Sequence, residues 1–376
     1  MKKIRFAIVG LGIQGKLYND LIQQGKIADC EVTAYCDNDK SRIDFIKKVS
    51  TFNDAVYFTD YDEMLKSNLF DAVLIQTPHF SHPEMVKKAL SYGYGVVCDK
   101  PAGICAEQVQ DMIDYSKTVS APFTMMFNQR TNCVYRKIRE MVQGGAIGKL
   151  QRVNWVITDW YRTQLYYNSA PWRATWQAEG GGVLITQCLH QLDLLYWIVG
   201  KLPSIVRGFC QYGKWHDIEV EDEVTAYFEY ADGATGVFIT STGETPGANR
   251  LEISGTGGKL LCEHDKLFFY ENKVDAMVQS RKGPHGFARP EFTVTEVVTD
   301  GKNEQHAGIL NNFVGYMLGR EELFVDGEEG LYSIEFMNAI EYSGWTGETV
   351  TVPVDAKLYA KTLRQKIRNS NKKPNL

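Results

Sequence analysis

The sequence lacks the signatures of several protein classes. Its eight cysteines are scattered, with no C-x-x-C pair, so neither a zinc ribbon nor a disulfide framework is predicted. The longest apolar run, about Leu194–Val199, is far shorter than the ~20 residues that span a bilayer. No basic cluster precedes the last twenty residues, and the net charge is −5, which does not favour nucleic-acid binding. We therefore expect a cytoplasmic protein that binds neither nucleic acid nor membrane.

The length and the order of apolar segments predict two domains. The chain has 376 residues, whereas a domain typically has ~100–200. Up to residue 127, short apolar strands alternate with helical patterns, which is typical of a parallel sheet covered by helices on both faces. The strands are predicted at Ile4–Val9, Val32–Cys36, Val56–Phe58, Ala72–Gln76, Val96–Cys98 and Phe123–Phe127. We predict a doubly wound Rossmann domain over residues 1–127.

After residue 127 strands follow one another with tight turns, as in a largely antiparallel sheet. The turn Asp232-Gly233 is a hairpin signal, because glycine readily takes the positive φ that such a turn needs. Helical patterns lie near 132–143, Val183–Val199, 305–319 and 328–343. We predict an α+β domain with an open sheet over residues 128–376, which would bind substrate and form the contacts of an oligomer.

A glycine-rich loop follows the first strand and opens the first helix. Its sequence is Gly10-Leu11-Gly12-Ile13-Gln14-Gly15, and Asp37 ends the second strand 22 residues later. In this context G-x-G-x-x-G indicates a dinucleotide site: the glycines allow a sharp turn, a close approach of the pyrophosphate and close helix packing. Asp37 would accept hydrogen bonds from the ribose hydroxyls and repel a 2′-phosphate. NAD is favoured over NADP, although Lys40 and Arg42 lie nearby in sequence.

Polar residues follow the fourth and fifth strands, where ligands bind in open α/β sheets. The fourth strand leads to Thr77-Pro78 and His82, and the fifth to Asp99-Lys100. A lysine at such a position favours a functional role over a solvated surface role. His79 and His82 have H-x-x-H spacing, but no acidic or cysteine partner stands at ligand spacing, so no metal site is predicted.

A second constellation lies after Gly180-Gly181-Gly182. On one continuous helix, Thr186, His190 and Asp193 would share a face at i, i+4 and i+7. Because that helix is otherwise apolar, its polar stripe must find partners or line a cavity. His190 is either a functional residue or a core histidine satisfied by Asp193. The preceding stretch is rich in tryptophan and tyrosine, whose flat faces suit stacking on a pyranose, although interdomain packing would account for about half of them.

These motifs together resemble the Gfo/Idh/MocA family of nicotinamide-dependent oxidoreductases, the group of glucose–fructose oxidoreductase and inositol dehydrogenase. The similarity runs almost from end to end of the chain. It rests on the glycine loop, Thr77-Pro78 with His82, Asp99-Lys100-Pro101, Asn128-Gln129-Arg130, Trp172-Arg173, the triple glycine with His190 and Asp193, Asn338-Ala339 and Trp345-Thr346-Gly347.

The resemblance implies a role for each matching residue. Lys100 and His190 would be catalytic. The nicotinamide half of the cofactor would lie against Thr77, Pro78, His82, Asp99 and Asn128. Asp193 would help orient the substrate or the histidine. Apart from the resemblance, we also expect substrate to contact Thr186, Tyr161, Trp172 and Arg173. The resemblance also implies a subunit interface on the second sheet, and hence a homodimer or homotetramer.

Two residues depart from the family pattern. Asp99 stands where the family has glutamate, which keeps the charge but shortens the reach. Thr186 stands where inositol dehydrogenase-like members have aspartate, four residues before the histidine. The base would then be His190 with Lys100 alone, or the substrate would supply the missing contact.

The sequence thus predicts reversible oxidation of a secondary alcohol on a sugar, cyclitol or glycoside ring by NAD. Three alternatives stay open: an NAD-dependent glycosidase on the same fold, a catalytically silent cofactor-binding regulator, and a reductase of open-chain or aromatic carbonyls. The sugar, the ring position and the physiological direction are not fixed by the sequence.

Overall fold

A computed structural model describes residues 3–370. Within that range the strands, in chain order, are β1 Ile4–Val9, β2 Cys30–Cys36, β3 Val56–Phe58, β4 Ala72–Ile75, β5 Gly95–Cys98, β6 Phe123–Met125, β7 Leu150–Ile157, β8 Ile205–Tyr212, β9 Glu221–Glu229, β10 Thr235–Ser241, β11 Asn249–Gly255, β12 Gly258–Glu263, β13 Lys266–Asn272, β14 Phe292–Glu296 and β15 Val350–Thr351.

The α-helices of the same range are α1 Ile13–Gln23, α2 Lys40–Val49, α3 Tyr61–Lys66, α4 His82–Ser91, α5 Ala106–Ser116, α6 Cys133–Gln143, α7 Gln164–Tyr167, α8 Val183–Thr186, α9 Leu189–Val199, α10 Ala276–Lys282, α11 Gln305–Met317, α12 Gly330–Thr346 and α13 Ala356–Asn369. Short 3₁₀ turns occupy His79–Ser81, Asn128–Thr131 and Gly327–Glu329. No helix in the described part of the chain is both long and apolar enough to cross a membrane.

The first compact unit is built on a six-stranded parallel sheet. Its strand order is β3-β2-β1-β4-β5-β6, the order of the dinucleotide-binding Rossmann fold. Strands β4 and β5 are buried at every position, because helices cover both faces of the sheet. The prediction of a doubly wound parallel sheet is confirmed.

The first unit includes a segment from late in the chain. It comprises residues up to Thr131 together with Glu304–Ile334, whereas the sequence placed everything after residue 127 in a second domain. The returning segment fills the sheet's flank: Phe313 lies against Phe6, with ring centroids 6.5 Å apart. Near the end of the returning segment, the Val325 carbonyl oxygen accepts a hydrogen bond from Thr124 Oγ1 over 2.6 Å. These contacts join residues 307 and 201 positions apart, which no local pattern predicts.

The second unit contains Asn132–Asn303 and, among the described residues, 335–370. Its nine-stranded sheet has the order β14-β13-β12-β11-β7-β10-β9-β8-β15. Every neighbouring pair is antiparallel except β7 and β10, which are parallel. Gly233, at φ +87°, makes the predicted turn between β9 and β10. The predicted α+β class, with a largely antiparallel sheet, is confirmed.

The helix predicted over Val183–Val199 is interrupted, so that prediction was wrong in one respect. Helix α8 ends at Thr186, a turn occupies Gln187 and Cys188, and α9 begins at Leu189. The Cys188 N–H donates to the Val183 carbonyl, one residue further back than in an α-helix. Side chains at the break are held by other elements: Cys188 Sγ lies 2.9 Å from Thr240 Oγ1. Thr186 and His190 therefore belong to different helices.

Candidate active site

The glycine loop of the first unit has the geometry that its spacing predicts. Gly10 takes φ +89°, and a Cβ there would lie 2.6 Å from the Gln76 carbonyl oxygen. A Cβ at Gly15 would lie 2.1 Å from the Gly10 carbonyl oxygen. At Gly12 the nearest atom to such a Cβ is Arg42 Nη1, at 4.0 Å. The first and third glycines are thus fixed by protein contacts, and the second faces open space.

Asp37 is buried beside this loop. Its Oδ2 accepts from the Leu11 N–H over 2.7 Å and its Oδ1 accepts from the Asp39 N–H over 2.9 Å. Arg42 Nη1 lies 3.5 Å from Oδ2. The backbone therefore fixes the carboxylate at the end of β2, and a half-exposed guanidinium lies against it.

The residues present fit a dinucleotide. Helix α1 begins at Ile13 behind Gly12, without a side-chain cap, so its first N–H groups are available to a phosphate. Gln76, directly after β4, has both amide atoms buried with no partner in the described part of the chain. The same is true of Asn128 Oδ1, beyond the end of β6. Buried polar atoms are normally hydrogen-bonded, so these three atoms favour a ligand at the carboxyl ends of the strands.

His82 joins two strand-end segments. The ring is buried, with Nδ1 2.7 Å from the Pro101 carbonyl oxygen and Nε2 2.7 Å from the Thr77 carbonyl oxygen. Burial lowers the pKa of His82. Thr77 Oγ1 lies 2.8 Å from Ser81 Oγ, and Pro78 precedes the 3₁₀ turn that leads to His82. His82 thus positions the segments after β4 and β5 relative to each other.

Lys100 stands at the end of a hydrogen-bonded chain of side chains. Its backbone N–H donates to Asp99 Oδ1 over 2.8 Å, and Tyr18 Oη donates to Asp99 Oδ2 over 3.3 Å. The Tyr18 ring packs on His306 with centroids 5.7 Å apart. Burial lowers the pKa of His306, with a smaller opposite effect from Asp99. Asp99 is therefore a bridge between helix α1 and the backbone of Lys100.

Asn128 contacts the returning segment. Its Nδ2 donates to Gln305 Oε1 over 2.7 Å, and Gln129 Nε2 reaches the same oxygen at 3.4 Å. Gln305 takes φ +51°, an uncommon conformation for a residue other than glycine. The start of α11 thus lies at the carboxyl ends of β5 and β6.

In the second unit, the triple glycine leads directly into α8. Gly180 takes φ +79°, and the N–H groups of Gly182 and Leu184 both donate to Glu221 Oε1, over 2.8 and 3.1 Å. Thr186 ends α8 and is partly buried. On α9, His190 is partly buried, and Asp193, one turn further on, is buried with an exposed fraction of 1%.

The aromatic loop surrounds Arg173. Its guanidinium lies 4.5 and 4.6 Å from the ring centres of Tyr166 and Trp172, and its Nη1 donates to Tyr166 Oη over 2.9 Å. Glu179 Oε1 lies 3.5 Å away. Tyr161, in contrast, is about half exposed. Arg173 thus has structural partners within the loop, while Tyr161 presents a free ring face.

Tyr166 links this loop to the helix break. Its Oη also receives a hydrogen bond from Gln187 Nε2 at 3.3 Å, in the turn before α9.

Residues 3–370 contain no group of three or more histidine, cysteine, aspartate or glutamate side chains placed to hold a metal ion.

Sequence reasoning did not assign several residues that the structure places at these sites. In the first unit they are Tyr18, Gln76, Gln305 and His306; in the second they are Glu179, Gln187 and Glu221. Gln76 carried a usable signal, since it directly follows a buried strand. The pairing of Tyr18 with Asp99, 81 positions away, carried none.

Comparison with known proteins agrees with the geometry. Residues 4–127 match the model of the oxidoreductase family with an NAD-binding Rossmann fold, and residues 135–261 match the GFO/IDH/MocA C-terminal domain. These segments make up more than half of the chain. Together, the fold and the matches define a nicotinamide-dependent oxidoreductase. The chain belongs to the Gfo/Idh/MocA family, which confirms the resemblance drawn from its motifs.

Curated relatives include D-xylose 1-dehydrogenase [NADP(+)] of Haloarcula marismortui, 22% identical over 92% of this chain and 92% of the relative. Inositol 2-dehydrogenase of Rhizobium meliloti is 22% identical over 89% of this chain and 95% of the relative. Among solved structures, the WlbA dehydrogenase of Bordetella pertussis in complex with NADH and UDP-GlcNAcA has a TM-score of 0.80 and 23% identity. That match covers 94% of this chain and all of the other, and at this identity it shows the shared fold.

Proposed function

We propose that this protein transfers a hydride between a ring secondary alcohol of a sugar, cyclitol or glycoside and NAD. The observation that carries the proposal is the end of β5, where Asp99 fixes the backbone of Lys100 on the ligand-binding edge of a Rossmann sheet. The names of the relatives, which include xylose and inositol dehydrogenases, support an alcohol substrate of this class.

Lys100 and His190 are the proposed catalytic residues. The nicotinamide ring, when bound, takes up or returns the hydride. His190 accepts the hydroxyl proton as the carbonyl forms, which is the usual role of a histidine base. Lys100, as a cation, stabilises the negative charge that develops on the alcohol oxygen; removal of such a group typically lowers the rate by ~10²–10³.

The dinucleotide is proposed to lie along the carboxyl edge of the first unit's sheet. Its pyrophosphate would bind over Gly12, at the N-terminus of α1, and its nicotinamide amide would meet the buried polar atoms of Gln76 and Asn128. His82 acts from behind this surface by fixing Thr77 and Pro101.

We propose NAD in preference to NADP. The Asp37 carboxylate is held by two backbone N–H groups and cannot turn away from a 2′-phosphate without losing them. Arg42, 3.5 Å from that carboxylate, is the residue that works against this preference. The relative from Haloarcula marismortui is named for NADP(+), so membership of the family does not by itself decide between NAD and NADP.

Substrate is proposed to contact the second unit through residues of α8, α9 and the aromatic loop. Tyr161 offers an exposed ring for stacking on a sugar face, and Thr186 and Asp193 offer oxygen atoms. Trp172 and Arg173 pack on each other. We propose that they maintain the conformation of the loop as well as contact the substrate.

We also propose a cytoplasmic homodimer or homotetramer. Phe209 on β8 and Tyr227 on β9 are about half exposed on neighbouring strands, which suits a second copy of the chain. The eight cysteines are thiols, as expected for a reducing compartment. Multi-angle light scattering of the purified protein would test the assembly, and a monomer at all concentrations would refute it.

The function is tested by a substrate panel. Sugars, cyclitols and glycosides are incubated with NAD or NADP, and reduced cofactor is followed by absorbance. We expect turnover of at least one ring alcohol, strongly reduced in Lys100→Ala and unchanged in the surface control Lys88→Ala. Release of aglycone would identify a glycosidase instead. Tight NAD binding without turnover of any compound would identify a regulator.

A further inference from the structure

Two carboxyl groups are buried together in the second unit. Glu221, on β9, and Glu341, on α12, both have exposed fractions of 0%. They meet at Gly181, where an added Cβ would lie 2.6 Å from Glu341 Oε1 and 3.6 Å from Glu221 Oε1. Carboxylates are almost never fully buried unless their charge is compensated.

Each carboxyl group uses one oxygen for protein donors. Glu221 Oε1 accepts from the N–H groups of Gly182 and Leu184. Glu341 Oε2 accepts from Tyr359 Oη. The remaining oxygens, Glu221 Oε2 and Glu341 Oε1, are buried and have no donor within residues 3–370. One proton shared between the two carboxyl groups would give both of these oxygens a hydrogen-bond partner.

The burial of the pair and the charges around it favour a state in which one carboxyl group is protonated. Burial raises the pKa of both groups. The ionised Glu221 raises the pKa of Glu341 further, whereas a hydrogen bond with Glu341 lowers the pKa of Glu221, so the proton is expected on Glu341. From β8 the pair meets Cys210 and Tyr212, whose pKa values burial raises far above neutral, so neither adds positive charge. Helix α13 supplies Tyr359 and a cation, Lys366.

Lys366 lies among aromatic rings, at some distance from the carboxyl pair. Its Nζ lies 4.9–5.3 Å from the ring centres of Trp345, Trp176 and Tyr212. Burial lowers the pKa of Lys366. The charge of Lys366 lowers the pKa of Glu341, but this effect is smaller than the increases caused by burial and by Glu221, so a proton on one of the two carboxyl groups stays favoured.

The turn before α8 is built against this pair. A Cβ at Gly182 would lie 1.9 Å from the Glu221 carbonyl oxygen, so only glycine allows the approach. The approach brings the Gly182 and Leu184 N–H groups onto the Glu221 carboxylate, at the start of the segment that carries Thr186 and, after the break, His190.

We propose that Glu221 and Glu341 share one proton, and that this pair is a positioning element that fixes the turn Gly180–Gly182 and the start of α8. The consequence for catalysis rests on the function proposed above for His190 and Thr186. Loss of the shared proton would set two buried carboxylates against each other beneath the turn.

The test compares Glu341→Gln and Glu341→Leu with the control Glu335→Gln. In Glu341→Gln the amide N–H₂ donates permanently to Glu221, and the amide oxygen still accepts from Tyr359. Leucine supplies neither group. Glu335 lies on the same helix and burial raises its pKa to about 7, so its variant reports what an unrelated titration on α12 contributes.

The first readout is infrared spectroscopy of protein labelled with ¹³C-glutamate. At neutral pH we expect a protonated-carboxyl band from the pair, which Glu335→Gln retains and Glu341→Gln loses. Glu335 adds a separate contribution, which only Glu335→Gln loses. The second is hydrogen exchange of the Gly182 and Leu184 amides, measured by NMR. Protection should fall in wild type and in Glu335→Gln as the pH rises above neutral, stay constant in Glu341→Gln, and be low at every pH in Glu341→Leu.

The third readout is kinetic. Glu341→Leu should lower kcat by up to ~10²-fold through misplacement of α8, with the Kd of NAD within a few-fold of wild type, since the first unit binds it. Absence of the infrared band, or protection in Glu341→Leu equal to wild type, would overturn the proposal. Both measurements need no turnover. If they succeed and no sugar or cyclitol is oxidised, the proposed function fails and the positioning pair stands.

Discussion

Replacement of Asp37 by asparagine should weaken the preference for NAD by a measurable amount. Asp37→Asn removes one negative charge and keeps the size of the side chain. At an effective dielectric constant of about 20, two unit charges 4 Å apart repel by about 4 kcal/mol, which corresponds to ~10³-fold in Kd. Arg42, 3.5 Å from Asp37 but about half exposed to solvent, offsets part of this repulsion. We therefore expect the ratio of the NADP Kd to the NAD Kd to fall by about 10²-fold.

The same substitution should destabilise the protein. The two carboxylate oxygens accept separately from Leu11 and Asp39, whereas asparagine has one oxygen and turns an N–H₂ group toward the other donor. One N–H loses its acceptor, at a cost of about 1–3 kcal/mol where it is that of buried Leu11 and less where it is that of exposed Asp39. A lower melting temperature should therefore accompany the change in cofactor preference.

Calorimetric titration of both dinucleotides, at one ionic strength near 0.15 M, measures the ratio. Arg42→Ala is the opposed control, because loss of its charge should raise the NADP Kd and leave the NAD Kd within a few-fold. Two results would refute the reasoning: tighter binding of NADP than NAD by wild type, or equal ratios in wild type and Asp37→Asn.

Three further outcomes are expected. Lys100→Ala should lower kcat by ~10²–10³-fold with the NAD Kd within a few-fold, because its charge acts on the transition state; near-normal kcat would show another cation in this role. Gly15→Ala should prevent stable folding of the first unit, since its methyl group would lie 2.1 Å from the Gly10 carbonyl oxygen, and circular dichroism like that of wild type would contradict this. Arg130→Met should destabilise the protein by about 1–3 kcal/mol in urea, because it leaves the partly exposed carboxylate of Glu329 without its 2.6 Å partner; an unchanged free energy of unfolding would count against this ion pair.

The parallel sheet was predictable because its strands are buried on both faces. Strands of this kind are continuous apolar runs, and their predicted ends agree with the structure within about two residues; Ala72–Gln76, for example, became Ala72–Ile75. The glycine loop was also predictable, because its glycines have a characteristic spacing between one strand and the helix that follows it. The contact that requires Gly15, for example, is with Gly10 of the same loop.

The break between α8 and α9 could not be predicted, because it is made by distant partners. Local propensity favours one helix, yet Gln187 donates to Tyr166 and Cys188 contacts Thr240, 52 positions away. The buried pair of Glu221 and Glu341 is a similar case, since it joins residues 120 positions apart. In the sequence each stood as an ordinary glutamate.

The late return of Glu304–Ile334 to the first unit has a consequence for how this protein can be made or cut. A fragment that stops at Thr131 contains the complete six-stranded sheet, yet it lacks Phe313 against Phe6 and leaves the buried guanidinium of Arg130 without Glu329. During synthesis, the core of the first unit can close only after residues 304–334, in roughly the last fifth of the chain, have been made. A minimal cofactor-binding protein would have to splice residues 304–334 directly behind the sheet.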